Sequence, residues 1–366
     1  MSEDTYNPNK AIHPGVTLAD VLGASSMTQS ELAERTGLTP KTISEIVQKK
    51  NPITPETATK FASVFGTSTG FWNNLERNYQ ETLIRLKENE RLDKEAASLG
   101  RFECYKDLVR WGYLPKTSVA REEVSNLLGF FQVSSLDFVK KTHPVAFRQT
   151  KNKSFSHESL AAWLRCGEIE AEKIRTKPFE KETLIDNMES LKKLTTIRND
   201  QLQNQLQSIC SEIGIAVVFV PYFAKTYVDG ATRWLSSDKA LIQVSLRGKS
   251  SDRFWFTFFH EIGHILKHGK TDEFIEFEND RSDSLTLKEN EADEFAKETL
   301  IPDSLFKNFL AKKDLSDEAI VNFARDISVS PSIVAGRLKH ELYERGYKDA
   351  WKRFPRLTKK IEFARK

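Results

Sequence analysis

Cysteine is scarce in this chain. Its 366 residues hold three, Cys104, Cys166 and Cys210, far apart and never in a CxxC pair, which excludes a disulfide framework and a cysteine-ligated zinc site. They are read as reduced, buried thiols. Long hydrophobic runs are missing as well. The longest, such as IAVVFV at 215–220, are much too short to cross a bilayer, and the opening MSEDTYNPNKAIHPG has no apolar stretch of signal-peptide type. No membrane association and a cytoplasmic location are therefore expected. Charge of one sign is lacking too: 55 Lys and Arg stand against 52 Asp and Glu, a net charge of +3. With no global field, any nucleic-acid binding must come from a local patch. Internal repeats are absent, and the length exceeds what one hydrophobic core usually serves, so two or three domains are expected.

What is present first is punctuation. Thr28 followed three residues later by Glu31 is a capping box, Gly37 is a stop, and Thr39-Pro40 supplies a cap with proline at the first helical position. Thr54-Pro55-Glu56 repeats the start signal and Gly66 the stop. The result is a run of short helices from Thr17 to about Tyr79. Within it, Leu32, Ala33, Leu38, Ile43, Ile46 and Val47 pack two helices across the Gly37 turn. That leaves Lys41, Thr42, Ser44, Glu45 and Gln48 on the second helix, where a recognition helix faces the major groove, and Gln29 at the start of the first, placed for a phosphate. Glu45 is the awkward member, since it must read a cytosine amino group or be tolerated.

A charged segment follows, NYQETLIRLKENERLDKEAASL, whose Glu/Lys/Arg pairs at helical spacing predict an exposed connecting helix. REEVSNLLGFFQVSSLDFVKK, SHESLAAWLRCGEIEAEKI and KETLIDNMESLKKLTTIR then repeat apolar residues every three or four positions, Leu160, Trp163 and Leu164 among them, a helical middle region ending near Arg198. The period then changes. IAVVFVPYF, ATRWL and KALIQVSLR are short β-branched or aromatic runs and predict a small sheet. The closing YKDAWKRFPRLTKKIEFARK is basic with interleaved aromatics and reads as a solvated or loosely docked tail, with nucleic-acid contact as the other reading.

Helical spacing resumes at Asp252 in SDRFWFTFFHEIGHILKHG. Phe254, Trp255, Phe258, Phe259, Ile262, Ile265 and Leu266 mark a helix buried along one side, and His260 and His264 sit one turn apart on a common face. That spacing lets two imidazoles reach one zinc ion at about 2.0–2.1 Å, with Glu261 beside the open coordination position. The third ligand is His268 or a carboxylate. Each turn advances about 5.4 Å along the axis, so three turns of one helix converge poorly, and a second helix is the easier source. LKENEADEFAKETLIP offers Glu289 as ligand and Asp293, four residues on, as acceptor for a ligand histidine's second ring N–H. Glu291 points about 200° away from Glu289. Two histidines, one glutamate and a water are the make-up of catalytic zinc, with Glu261 as general base for hydrolysis of a peptide bond. The acidic stretch KTDEFIEFENDRSD between the two helices reads as a solvated loop or a lid over the cleft.

GATRWLSSDKALIQVSLRGKSSDRFWFTFFHEIGHILKHG, then ENEADEFAKETLIP, then FARDISVSPSIVAGRLKHE resemble the ImmA/IrrE family of zinc metallopeptidases over roughly residues 196–345. The resemblance implies a zincin-like fold, a peptidase acting on a partner regulator, typically a DNA-binding repressor encoded nearby, and metal ligands at His260, His264 and Glu289. MTQSELAERTGLTPKTISEIVQKK resembles the XRE-type helix-turn-helix, and with its flanks IHPGVTLADVL and ITPETATKFASVFGTSTGFWNNLE is similar to HigA-like antitoxins. The fold class expected is multidomain and mostly α with one α+β zincin-like domain. Its parts are a helix-turn-helix domain at 1–80, a helical middle region at 81–195, a zinc peptidase domain with a small sheet and the HExxH helix at 196–345, and a basic tail at 346–366. The function expected is a DNA-binding regulator or antitoxin carrying a zinc endopeptidase for a specific partner protein; the alternative is an antitoxin and autorepressor whose zinc domain binds or senses a partner without turnover. A double-stranded operator, a partner protein and a homodimer are the expected associations.

Overall fold

The computed structural model describes residues 8–142, 155–245, 250–269, 274–277 and 286–361. The chain divides into two compact units: Met1–Ala97 with Val119–Ser125, and Ser98–Ser118 with Asn126–Lys366.

Local signals set the helices of the first unit. His13 caps α1 (Pro14–Ala24), its Nδ1 accepting the Gly15 N–H. Thr28 Oγ1 accepts the Glu31 N–H and starts α2 (Gln29–Thr36), and Gly37, at φ 65°, ends it in the left-handed region that glycine adopts without strain. Thr39 caps α3 (Pro40–Val47) and Thr54 caps α4 (Pro55–Phe65). Their apolar faces meet in a core of Leu18, Leu32, Ile43, Ile46, Phe61 and Trp72. A side chain at Gly15 would place its Cβ 1.9 Å from the Ile46 carbonyl oxygen, so α1 and α3 touch backbone to backbone there. The charged segment expected as a separate connection is instead the continuation of α5 (Thr69–Glu95). No glycine or proline lies between Gly70 and Gly100 to stop it.

The second unit contains α6 (Tyr105–Arg110), the later residues of α7 (Ala120–Phe131), α8 (Val139–Thr142), α9 (His157–Glu172), α10 (Lys181–Asp186), α11 (Met188–Lys193) and α12 (Asn199–Ile213). Leu160, Trp163, Leu164 and all three cysteines are buried. The stretch at 181–198 is helical, as expected, but broken into short pieces, the first break falling at Asn187. Its side-chain amide donates to the Thr183 carbonyl and so competes with the next helical bond.

The strands are β1 (Ile215–Val220), β2 (Val228–Ser236) and β3 (Lys239–Ser245), followed by α13 (Ser251–Lys267) and β4 (Phe274–Phe277). The sheet order is β1-β3-β2-β4, with β1 parallel to β3 and the other pairs antiparallel. Alternation assigns the faces. Ile215, Val217, Ala240, Ile242 and Val244 share a core with Phe254, Trp255, Phe258 and Ile262 of α13, whereas Gln243 turns to the other face, where its amide donates to the Trp163 carbonyl of α9. Burial on both faces explains why β1 reads as a continuous apolar run rather than an alternating one. β4 comes from the acidic stretch expected as loop; the rest of that stretch lies outside the described residues.

α14 (Thr286–Leu300), α15 (Asp303–Ala311), α16 (Asp317–Asp326) and α17 (Pro331–Glu344) complete the unit. As far as it is described, the tail is docked through its backbone and Ile361 while many of its side chains stay solvated. The Lys359 carbonyl accepts the Ser251 N–H at 2.9 Å, the Lys360 carbonyl accepts from Asn199 at 2.7 Å, and Ile361 is buried in the core. Among the described residues no helix is long and apolar enough to cross a membrane.

Candidate metal centre

α13 lies against the sheet with its aromatic side inward. The turn that carries His260 and His264 meets α14 at Gly263, where an added Cβ would fall 3.1 Å from the Cα of Ala292. This close crossing brings in the preceding turn of α14. His260 Nε2 is 3.0 Å and His264 Nε2 is 3.5 Å from Glu289 Oε2, and the two ring nitrogens are 2.9 Å apart. Among the described residues, His260, His264 and Glu289 form the one group of histidine, cysteine or acidic side chains whose donor atoms gather closely enough for a metal ion.

The group fits a zinc ion. Ligand atoms about 2.0–2.1 Å from a tetrahedral centre lie about 3.3 Å from one another, and the three separations here bracket that value. The protonation states fit as well. Burial holds His264 neutral down to about 4, outweighing the pull of the Glu289 carboxylate. Burial alone would raise Glu289, but the two rings at hydrogen-bonding distance reverse that and hold its carboxyl at about 2. His264 and Glu289 are therefore a neutral imidazole and an ionised carboxylate at neutral pH, the forms that ligate. Asp293 Oδ1 lies 2.9 Å from His260 Nδ1. A proton held on Nδ1 and donated to Asp293 leaves the Nε2 lone pair facing the group.

Glu261 is fully buried beneath the sheet. A Cβ at Gly230 of β2 would lie 2.4 Å from Glu261 Oε1, so the carboxylate occupies the space that any other residue there would fill. Gly230 and Gly263 escape notice in the sequence reading, although both carry a signal. One is a glycine inside a strand and the other a glycine inside a buried helix, each a mark of close approach. His268 does not continue the ligand face. α13 ends at Lys267, His268 is extended, and its Nε2 lies 3.1 Å from the Lys288 carbonyl oxygen. Glu291 is half exposed, 3.8 Å from His268 Nδ1.

In the first unit, Gln29, Lys41 and Gln48 are exposed, and Thr42, Ser44 and Glu45 partly so. Several are held by neighbours. Gln48 Nε2 donates to Ser44 Oγ at 3.0 Å, and the Thr42 and Thr39 hydroxyls are 2.8 Å apart. Glu45 accepts from Asn51 Nδ2 at 2.7 Å, with Lys41 Nζ 3.8 Å away. Its charge is thus engaged within the protein, which is how an acidic residue is accommodated on this face.

Residues 210–339 match the family described as IrrE N-terminal-like domain, a peptidase family, and residues 18–72 match the helix-turn-helix family. Among solved structures the chain is similar to an addiction module antidote protein of a HigA family from Coxiella burnetii, with 31% identity over 23% of this chain and 94% of that one and a TM-score of 0.22. It is similar to the antitoxin HigA of Pseudomonas aeruginosa, solved with the higBA promoter, at 26% identity over 23% of this chain and 94% of that one, TM-score 0.22. A third is a Pseudomonas aeruginosa protein in complex with its operator DNA, 26% identical over 22% of this chain and 91% of that one, TM-score 0.22. No curated protein matches the chain. By sequence, then, the chain carries an XRE-type helix-turn-helix family match at its N-terminus and an IrrE/ImmA-like peptidase-family match at its C-terminus.

Proposed function

We propose that this chain is a zinc-dependent endopeptidase addressed to an operator by its own helix-turn-helix domain, where it hydrolyses one specific partner protein, a repressor or a component of a toxin–antitoxin pair. The observation that carries the reading is the gathering of His260, His264 and Glu289 around one point, with Glu261 on the same helix. In this reading residues 1–80 bind a palindromic duplex as a homodimer, and 196–345 form the peptidase. A zinc ion held by these residues would supply an acidified water and an electrophile for a carbonyl. The chain's residues do the rest. His260, oriented by Asp293, and His264 with Glu289 would hold the ion. Glu261 takes a proton from the attacking water and returns it to the leaving nitrogen.

Glu261→Gln tests this. The amide keeps the shape but accepts no proton, so hydrolysis of the partner falls by about 10²–10⁴-fold while zinc content and thermal midpoint stay unchanged. Full hydrolysis by the variant removes Glu261 from the role of base. A second reading, an antitoxin and autorepressor whose zinc domain binds or senses a partner without turnover, is favoured by the helix-turn-helix match at 18–72 and the likeness of 23% of the chain to a HigA-family antidote protein. Co-expression with the product of the neighbouring gene separates the two: protection that survives Glu261→Gln is binding, and protection lost with zinc and partner binding intact is cleavage.

A further inference from the structure

The peptidase-family match ends at residue 339, and the chain beyond it builds a surface that the metal centre does not use. α17 stops at Glu344, and Gly346, at φ 91°, turns the chain back, with its own N–H donating to the Tyr343 carbonyl and that of Tyr347 to the Leu342 carbonyl. Ala350, fully buried, pins the returning turn. The reversal sets Trp351 against Tyr343, ring centroids 5.8 Å apart, and places the Arg353 guanidinium over the Tyr347 ring at 5.1 Å.

These rings are not core. Tyr343, Tyr347 and Trp351 remain 54, 48 and 54% exposed. Three large aromatics in one exposed patch differ from the scattered single apolar residues that any surface carries. The same segment is basic. From 341 to 361 there are seven Lys and Arg against three acidic residues, a local excess in a chain whose net charge is only +3. Arg345 pairs with Glu341 and Arg353 with Asp349, whereas Lys348, Lys352 and Arg356 are exposed and in no ion pair among the described residues. Rings recur at 343, 347 and 351 and unpaired cations at 348, 352 and 356, so the two kinds of group alternate along one folded segment.

We propose that residues 343–356 form a platform for single-stranded nucleic acid, separate from the helix-turn-helix surface. A duplex hides the faces of its bases and would engage the cations alone, and an acidic peptide has no need of exposed rings. An unpaired strand needs both: bases stack on the rings and phosphates meet the cations. DNA and RNA share that chemistry.

The test is fluorescence anisotropy of the full chain with labelled oligo(dT) and oligo(U), each across a salt series. Tyr343→Ala with Trp351→Ala weakens binding about tenfold or more, since each stacked base is lost as a contact. Trp351→Phe, which keeps a ring, retains most of the affinity. Lys348→Gln, Lys352→Gln and Arg356→Gln together lower the slope of log K against log salt by about 2, as expected for three phosphate contacts on a single strand. An unchanged thermal midpoint shows that these exposed substitutions leave the fold alone. Tighter binding of one oligomer identifies the natural strand as DNA or RNA. The proposal is overturned if the ring variants bind as the wild type does, if duplex DNA of equal length competes as well as the single strand, or if polyglutamate displaces oligo(dT) at equal charge concentration, which marks a surface for acidic proteins.

Discussion

The two units place their candidate functional side chains in opposite ways. In the first, the candidate DNA contacts Gln29, Lys41 and Gln48 stand exposed on or at the end of helices whose starts are fixed by caps three positions away. In the second, His260, Glu261 and His264 are buried, and their partners Glu289 and Asp293 arrive from another helix, 29 and 33 residues from His260. A surface built from local signals tolerates change one residue at a time. A centre built by convergence fails when any approach distance changes.

The contrast is sharpest at the candidate metal ligands. Glu289→Ala is expected to weaken zinc binding by more than the roughly 100-fold typical of losing an outer partner, and Asp293→Asn by about 10–100-fold, whereas His268→Ala leaves zinc content unchanged; metal analysis after dialysis reads all three. Retained zinc in Glu289→Ala, or its loss in His268→Ala, breaks the two-helix account. On the exposed face, Lys41→Ala or Thr42→Ala should cost roughly 1–3 kcal/mol of operator affinity if a base contact is removed, read by titration against specific and scrambled duplexes. Equal binding of all forms to both duplexes leaves only charge attraction.

Smaller effects test the local signals themselves. Thr39→Ala removes the oxygen that accepts the Thr42 N–H and should destabilise the first unit by about 1 kcal/mol, seen as a lower urea midpoint with an unchanged slope. The smallest effect is at His13. Burial lowers its pKa below 6.5, against the pull of Glu76, and its Nδ1 must stay unprotonated to accept the Gly15 N–H. As pH falls through 6.5 the unfolded chain takes up this proton before the folded one, so stability is full above 6.5 and declines below it. His13→Asn keeps a capping side chain and should flatten that decline between pH 7 and 5; an identical decline in both proteins assigns it elsewhere.

Legibility followed the same division. Caps and stops at Thr28, Gly37, Thr39, Thr54 and Gly66 are written within a few residues of the groups they satisfy, and each reads directly. The HExxH spacing is equally local. What stayed hidden depends on distant packing. β4 has no alternation of its own and exists because β2 offers it an edge. The break at Asn187 turns on one side-chain amide, and the docking of Lys359 and Lys360 on Ser251 and Asn199, both more than a hundred residues away. Gly230 and Gly263 are visible as glycines, but their purpose, room for Glu261 and for α14, appears only when the neighbours are in place.

The carbonyl of Lys360 that receives the Asn199 amide closes a loop of 161 residues, and that of Lys359 receives the first N–H of the helix bearing His260 and His264. Contacts so distant in sequence form late, because the entropy of closing the loop comes before any reward. During synthesis the first unit, whose hydrogen bond from Ile53 to Glu76 spans only 23 residues, has everything it needs to fold early. The HExxH helix has its N-terminal anchor only after residue 359 has emerged. Birth order thus separates the two units in time: the helix-turn-helix unit is complete before the candidate metal centre has its last anchor.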